Sequence, residues 1–271
     1  MPELPEVETI CRGLKSAILN KKIIDVYVSS YKLRYPIPKN LAKILKGQAF
    51  RKVSRRGKYI LLDAKTGTLI IHLGMSGTLQ IRKQDRAAAK HEHMKVIFAN
   101  NLSLCYTDPR RFGAILWITT DPLKHRSLKK LGLEPLAKNF TADFLFKRAK
   151  TKKCSIKQLI MDNGVVTGIG NIYASEVLFA AKINPLKKAH AVSFVQHKKL
   201  VKETKKILTL AIKYGGTTIK DHTDSSGNKG SFQNKLKVYG RSDQPCVICQ
   251  TKLVVSRISG RSTVSCPFCQ R

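Results

Sequence analysis

Cys246-Val247-Ile248-Cys249 is followed, sixteen residues later, by Cys266-Pro267-Phe268-Cys269. Two Cys-x-x-Cys knuckles at that separation match a tetrahedral four-thiolate zinc site, because each knuckle supplies two sulfurs from one tight turn. The residues between them then form a hairpin, expected over Lys252 to Ser256 and Ser262 to Ser265. Cys246, Cys249, Cys266 and Cys269 fill every coordination position, so the expected Zn2+ is one structural ion with no open position for catalysis. The metal folds a segment too short to bury a core of its own. A redox dithiol is the competing reading, and paired knuckles flanking a basic hairpin argue against it. Arg257 and Arg261 lie between the knuckles, where a rigid hairpin can aim them at a phosphate.

Upstream of this module the hydrophobic period changes once, near Leu131. Before it the chain is β-rich. Tyr59 to Leu62, Thr66-Gly67 and Leu69 to Ile71 read as one hairpin. Val96 to Phe98, Asn100-Asn101 and Leu102 to Tyr106 read as a second. Several short strands separated by turns suggest a sandwich or a barrel. One helix precedes them: Val7, Ile10, Leu14 and Ile18 repeat at helical spacing, with Cys11 and Ala17 filling the stripe. Pro5 suits its first turn, and Glu6 and Glu8 suit its positive end. After Leu131 the spacing predicts three helices. They begin at Ile156, at Asn171 (running to Ala181) and at Phe194, the last capped by Ser193 and stopped by Gly215-Gly216. The polar stretch from Thr217 to Asn234 is then a long loop, a kind usually functional or disordered.

Lys and Arg total 51 against 17 Asp and Glu in 271 residues, a formal charge of +34 spread along the whole chain. A compact protein with such self-repulsion calls for a polyanionic partner. Nucleic acid is the first candidate and an anionic membrane surface the second. No apolar run approaches the roughly 20 residues that span a bilayer. Glu3, Glu6 and Glu8 are incompatible with a signal-peptide start, so a cytoplasmic protein is expected. Seven cysteines, of which Cys11, Cys105 and Cys154 are scattered, do not form a secreted disulfide framework.

The chain opens Met1-Pro2-Glu3-Leu4-Pro5-Glu6. If Met1 is removed, Pro2 presents a secondary amine beside a carboxylate. Such an amine can attack an electrophilic sugar carbon and give a cationic iminium.

These pieces, in order, resemble the bacterial formamidopyrimidine-DNA glycosylase family. The resemblance runs end to end through the N-terminal Pro-Glu-Leu-Pro-Glu-Val-Glu-Thr, Arg55 to Tyr59, His72 to Gly77 and Tyr106 to Gly113. It continues through Met161 to Asn163, Gly168 to Glu176, Gly215 to Thr218, Val238 to Arg241 and the four cysteines. It implies an α+β protein with an N-terminal β-sandwich and N-terminal helix (1–130), a helical helix–two-turn–helix DNA-binding part with the lesion loop (131–236), and a C-terminal zinc-finger hairpin (237–271). The implied activity is a bifunctional glycosylase and abasic-site lyase that excises oxidised purines from double-stranded DNA. A monomer, nucleoid-associated through DNA, is expected. The related endonuclease VIII branch, specific for oxidised pyrimidines, typically has glycine where this chain has Leu4. It also lacks the set seen here at Met75, Arg110 and Phe112. A non-catalytic zinc-ribbon nucleic-acid binder would explain the charge and the cysteines but not the terminus.

The resemblance also implies roles. Pro2 is the nucleophile, and Glu3 the proton donor to the sugar ring oxygen; Glu6 either supports the same site or is only a favourable first-turn charge. Lys58 is the proton donor for β-elimination. Arg261 carries the δ-elimination role, chiefly by holding phosphate, since a guanidinium is a poor acid. A glycosylase flips the damaged base out of the duplex at a cost of a few kcal/mol. Met75 and Phe112 then read as the wedge, and Arg110 as the side chain facing the orphaned base. On composition alone, Met and Phe beside strands are ordinarily core. Gly168-Ile169-Gly170-Asn171 lets backbone and a helix N-terminus approach a phosphate, and Asn171 and Arg261 would grip it from two domains. His91, with His93 as a neighbouring candidate, and Lys152 fall at family DNA contacts; His72 and Tyr239 are read as phosphate contacts. His222 replaces a common phenylalanine in the loop, where Ser231-Phe232-Gln233 follows, so base recognition departs from the family there.

Overall fold

The computed structural model describes residues 2–83, 89–217 and 230–271. Met1, Thr218 and His222 lie outside them, as does most of the expected lesion loop. The chain forms two compact units, Met1–Lys129 with Tyr214–Gln233, and Lys130–Lys213 with Asn234–Arg271.

In the first unit, α1 (Leu4–Ile18) carries a proline in its first turn and buries Val7, Ile10, Cys11, Leu14 and Ile18, the stripe that the helical period predicts. Eight strands follow: β1 (Ile23–Val28), β2 (Lys52–Arg56), β3 (Tyr59–Asp63), β4 (Thr68–His72), β5 (Thr78–Lys83), β6 (Glu92–Phe98), β7 (Leu102–Thr107) and β8 (Ala114–Ile118). A short helix, α2 (Leu41–Leu45), separates β1 from β2. The strands make two four-stranded antiparallel sheets, ordered β2-β3-β4-β8 and β1-β6-β7-β5. Val53, Ile60, Leu69 and Ile115 of one sheet share a single core with Val26, Met94, Val96 and Leu104 of the other. The unit is therefore a sandwich, with α1 contributing to its core. Both hairpins read from the sequence are present. β1, β2, β5 and β8 carry no clear turn pair on both flanks and are visible only through their partners.

The second unit contains α3 (Ala142–Ala149), α4 (Ile156–Met161), α5 (Asn171–Ala181), α6 (Phe194–Lys213), β9 (Val254–Ile258) and β10 (Arg261–Ser265). Ser193 caps α6 as expected: its hydroxyl accepts from the Gln196 amide at 3.2 Å. The C-terminal hairpin differs from expectation. Its first strand starts two residues later, at Val254, and its turn is Ser259-Gly260. Both turn residues have positive φ, +49° and +73°, the geometry of the tight hairpin turn that matches strand twist. Arg257 and Arg261 thus lie within the strands flanking the turn. No helix among the described residues is long and apolar enough to cross a membrane.

Candidate active site and nucleic-acid interface

Pro2 and Glu3 are buried, and Glu3 is the residue immediately before the first turn of α1. The Glu6 carboxylate reaches back to accept the Glu3 amide at 2.8 Å. Its other oxygen accepts the amide and the hydroxyl of Thr217 at 2.7 and 3.0 Å. Gly216 has φ +78°, and a Cβ there would meet the Glu6 carboxylate at 2.7 Å. One buried acid therefore ties the chain terminus to the residue that precedes the 218–229 segment. By sequence Glu6 is a helix-end charge or a supporting acid; a carboxylate serving a partner 211 positions away has no local signal.

Lys58 sits in the two-residue turn between β2 and β3 and is 8% exposed. Gly57, at φ +57°, makes that turn possible. Across the β3–β4 ladder Tyr59 pairs with His72, their rings 4.6 Å apart. Burial, then the charges of Lys58 and Arg34, push the His72 imidazolium down to a pKa of about 4. The ring is neutral near pH 7. Its Nδ1 accepts the Gly74 amide at 3.1 Å, so the proton resides on Nε2, which can donate to an anion.

Met75 and Phe112 are 46% and 49% exposed, so they are not core residues. With Arg34, His72 and Arg110 they line a cleft of about 530 Å³. Arg110 places its guanidinium 5.0 Å over the Phe112 ring. The two loops that present these side chains meet at Asp108, which is fully buried. One carboxylate oxygen accepts the Ser76 hydroxyl at 2.6 Å. The other accepts the Gly113 amide at 2.8 Å. The Ser76 hydroxyl in turn accepts the Arg110 amide at 3.2 Å. Gly113 has no room for a Cβ against Tyr106, and Gly74, at φ +64°, packs on the Phe112 backbone. Asp108→Ala would strand the buried Gly113 amide and the partly buried Ser76 hydroxyl, at about 1–3 kcal/mol for a fully buried donor. It is expected to lower stability by about 2–5 kcal/mol in denaturant unfolding; a loss under about 1 kcal/mol would mean that the loops hold without it.

His91 is exposed at φ +64°, and its carbonyl accepts the Asp108 amide at 3.1 Å. His93 is buried, bridging Ser29 at 3.2 Å and the Asp108 carbonyl at 3.0 Å. Of the two histidines, only His91 presents its side chain to solvent.

In the second unit Gly168, at φ +91°, and Gly170 lead into α5. Asn171 donates to the Ser262 carbonyl at 3.0 Å. Gln158 reaches Ser259 at 2.6 Å. Lys157, only 1% exposed, donates to Ser175 and Thr263, both at 2.9 Å. These bonds stitch the β9–β10 hairpin to α4 and α5. Asn171 and Arg261 therefore lie in the same compact unit, and Arg261 is exposed at the start of β10. A buried lysine amid hydroxyls has no sequence signature in a chain this basic. Glu176, also buried, accepts the amides of Lys237, Val238 and Tyr239 at 2.9, 2.9 and 2.8 Å, fixing the backbone at Tyr239. Burial raises its pKa, and the three amides only partly offset this. Lys152 is exposed just beyond α3, and its carbonyl accepts the His190 ring at 3.0 Å.

The Sγ atoms of Cys246, Cys249, Cys266 and Cys269 all lie within 4.8 Å of one another, with Cys246–Cys269 at 4.0 Å and Cys249–Cys266 at 3.5 Å. Four sulfurs at a Zn–S length of ~2.3 Å would stand about 3.8 Å apart, so the donor set fits a tetrahedral metal. The Ile248 and Cys269 amides point at sulfurs of the two knuckles, at 3.4 and 3.3 Å, which favours thiolate. Leu253, Val264, Cys246 and Cys266 pack with Val238 on Phe179 of α5.

Residues 1–115 match the family description "Formamidopyrimidine-DNA glycosylase N-terminal domain", and residues 131–223 match "Formamidopyrimidine-DNA glycosylase H2TH domain". A formamidopyrimidine-DNA glycosylase of Pseudomonas entomophila is 47% identical over 271 residues, covering 100% of both chains. Among solved structures, a Lactococcus lactis Fpg variant in complex with Fapy-dG-containing DNA is similar with a TM-score of 0.92 and 34% identity, covering 100% of both chains. The Lactococcus lactis Fpg in complex with abasic-site DNA gives a TM-score of 0.91 and 34% identity over 99% of each chain.

Proposed function

The chain belongs to the formamidopyrimidine-DNA glycosylase family, and from that membership we propose which of its residues perform each step. It is a DNA glycosylase and abasic-site lyase acting on double-stranded DNA with oxidised purines such as 8-oxoguanine and formamidopyrimidines. The observation that carries the residue assignment is the start of α1, where Pro2 directly precedes the buried, amide-anchored Glu3.

With Met1 removed, the Pro2 nitrogen attacks C1′ and the glycosidic electron pair leaves with the base. The substituted nitrogen gives up its proton, which balances the charge of the departing base, and its regained lone pair then expels the ring oxygen, which Glu3 protonates, leaving an iminium at C1′. The iminium acidifies the C2′ proton. Loss of that proton forms the C2′–C3′ double bond as the 3′ phosphate departs with its electron pair, with Lys58 the proton donor. A second elimination releases the 5′ phosphate, for which Arg261 holds the departing charge. Met75 and Phe112 fill the space of the flipped nucleotide, and Arg110 faces the widowed base. His72, His91, Lys152, Asn171 and Tyr239 hold phosphates and thereby set register without reading sequence. Cys246, Cys249, Cys266 and Cys269 would hold one structural Zn2+, whose contribution is to fold the hairpin that bears Arg261. The segments 1–130, 131–236 and 237–271 correspond, in this reading, to chemistry, backbone grip and the metal-folded hairpin.

Borohydride trapping on duplexes containing 8-oxoguanine opposite cytosine tests the assignment. The expected adduct maps by peptide mass to Pro2, and uninhibited reaction leaves phosphate on both strand ends. An adduct on a lysine, or none, would remove Pro2 from its role. Salt-sensitive binding to undamaged DNA without cleavage at an abasic site would instead support a plain binding protein.

A further inference from the structure

Lys58 and the Pro2–Glu3 terminus ride on different elements, a hairpin turn and a helix end. Their relative placement needs a link outside the apolar core. Glu8, on α1, accepts from Arg55 Nε at 3.1 Å. Another nitrogen of the same guanidinium, Nη1, donates to the Gly57 carbonyl at 2.9 Å. Gly57 is the first residue of the turn, and Lys58 is the second. The Arg55 side chain is 11% exposed and that of Glu8 24%. The other Glu8 oxygen accepts Arg12 Nε at 3.0 Å, and Arg12 is 62% exposed. Beside the pair, the Cys11 thiol faces the Ser54 carbonyl at 3.6 Å, so α1 and β2 are in direct contact here.

We propose that Glu8 and Arg55 are positioning residues for the elimination step, fixing the Gly57-Lys58 turn against the helix that carries the nucleophile. Arginine suits the task because its planar fork aims one nitrogen at the helix and another at the turn; lysine has a single nitrogen. The pair adds little to holding α1 on the sheets, since Val7, Ile10, Leu14 and Ile18 already do so from the core. Its effect concentrates on the turn, where a displaced Gly57 carbonyl carries Lys58 with it. This positioning role rests on the assignment of Lys58 as proton donor.

The test is single-turnover cleavage of abasic-site duplex, with borohydride trapping measured in parallel. Arg55→Met keeps the packed stem and removes the hydrogen bonds to Glu8 and to the Gly57 carbonyl. It is expected to slow elimination by roughly 10- to 100-fold at unchanged KM, the scale of an ångström-sized misplacement, while trapping changes by less than about twofold. Arg55→Lys and Glu8→Gln should fall between it and the parent, and Arg12→Ala should match the parent. In a Lys58→Met background, Arg55→Met should add no further loss, because a misplaced group that is already absent costs nothing. Additive losses, an equal fall in trapping, or a raised KM would overturn the proposal, as would full elimination in Arg55→Met when Lys58→Met alone is slow. If Lys58→Met leaves elimination unchanged, the Lys58 assignment itself fails, and the positioning role with it.

Discussion

Protein that retains Met1 is expected to give no borohydride-trapped complex on lesion or abasic-site DNA, and to lose strand cleavage by at least about a thousandfold, equivalent to ~4 kcal/mol of barrier. The reason is covalent. An N-terminal methionine acylates the Pro2 nitrogen, and an amide nitrogen has no lone pair to offer C1′. Processed protein has a secondary amine, and an α-amino group ordinarily titrates at about 7.7–8.0, so part of it is neutral at pH 7. The positive end of α1 at Leu4 favours the neutral amine, whereas the carboxylates of Glu3 and Glu6 favour the charged one. Pro2→Gly keeps an amine and should retain measurable lyase activity, which separates loss of the nucleophile from loss of the fold. Cleavage at parental rate by the Met1-retaining form, verified by intact mass, would remove the N-terminal amine from the mechanism.

Removal of the metal is expected to have the second largest effect. Four sulfurs within 4.8 Å of one another would, on removal of a bound ion, be left as thiolates facing one another. Structural zinc sites of this kind contribute about 10–16 kcal/mol of apparent binding free energy at pH 7, more than such a short hairpin can replace. Chelation, or Cys249→Ser, should therefore unfold the segment from Cys246 to Cys269 and uncover Phe179, which packs against it. Unfolding also breaks the bonds from Gln158, Lys157 and Asn171 that hold the hairpin to α4 and α5. Arg261 then loses its placement, and δ-elimination should disappear together with tight DNA binding. Metal analysis should find about one zinc per chain, in line with a four-thiolate site. Hydrogen exchange of the β9 and β10 amides reports the outcome directly. Protection that survives complete metal removal would show that the hairpin folds without an ion.

Much of this protein is legible in its sequence. The stripe of α1, both early hairpins and the starts of α4, α5 and α6 follow periods of two and 3.6, which are local properties. The register of the last hairpin is harder to read. Ser259-Gly260 is its turn, so Arg257 and Arg261 belong to the strands, whereas the sequence pattern puts both in the connection. The exposure of Met75 and Phe112 also requires coordinates, since an apolar side chain near a strand is ordinarily core.

The sequence by itself marked the four-thiol candidate metal site, the polyanionic partner and the candidate nucleophile at the terminus. Each depends on residue type and short spacing: four thiols in two knuckles, an excess of positive charge, a proline in second place. Only the tertiary structure decided how the candidate groups are held. Asp108 joins two loops, Glu6 ties the terminus to Thr217, Glu176 fixes Tyr239, and Lys157 pins the zinc hairpin. Each is a buried polar group, tolerable only because partners far along the chain satisfy it. A local pattern cannot reveal such partners, because they become neighbours only when the sheets and helices close around them.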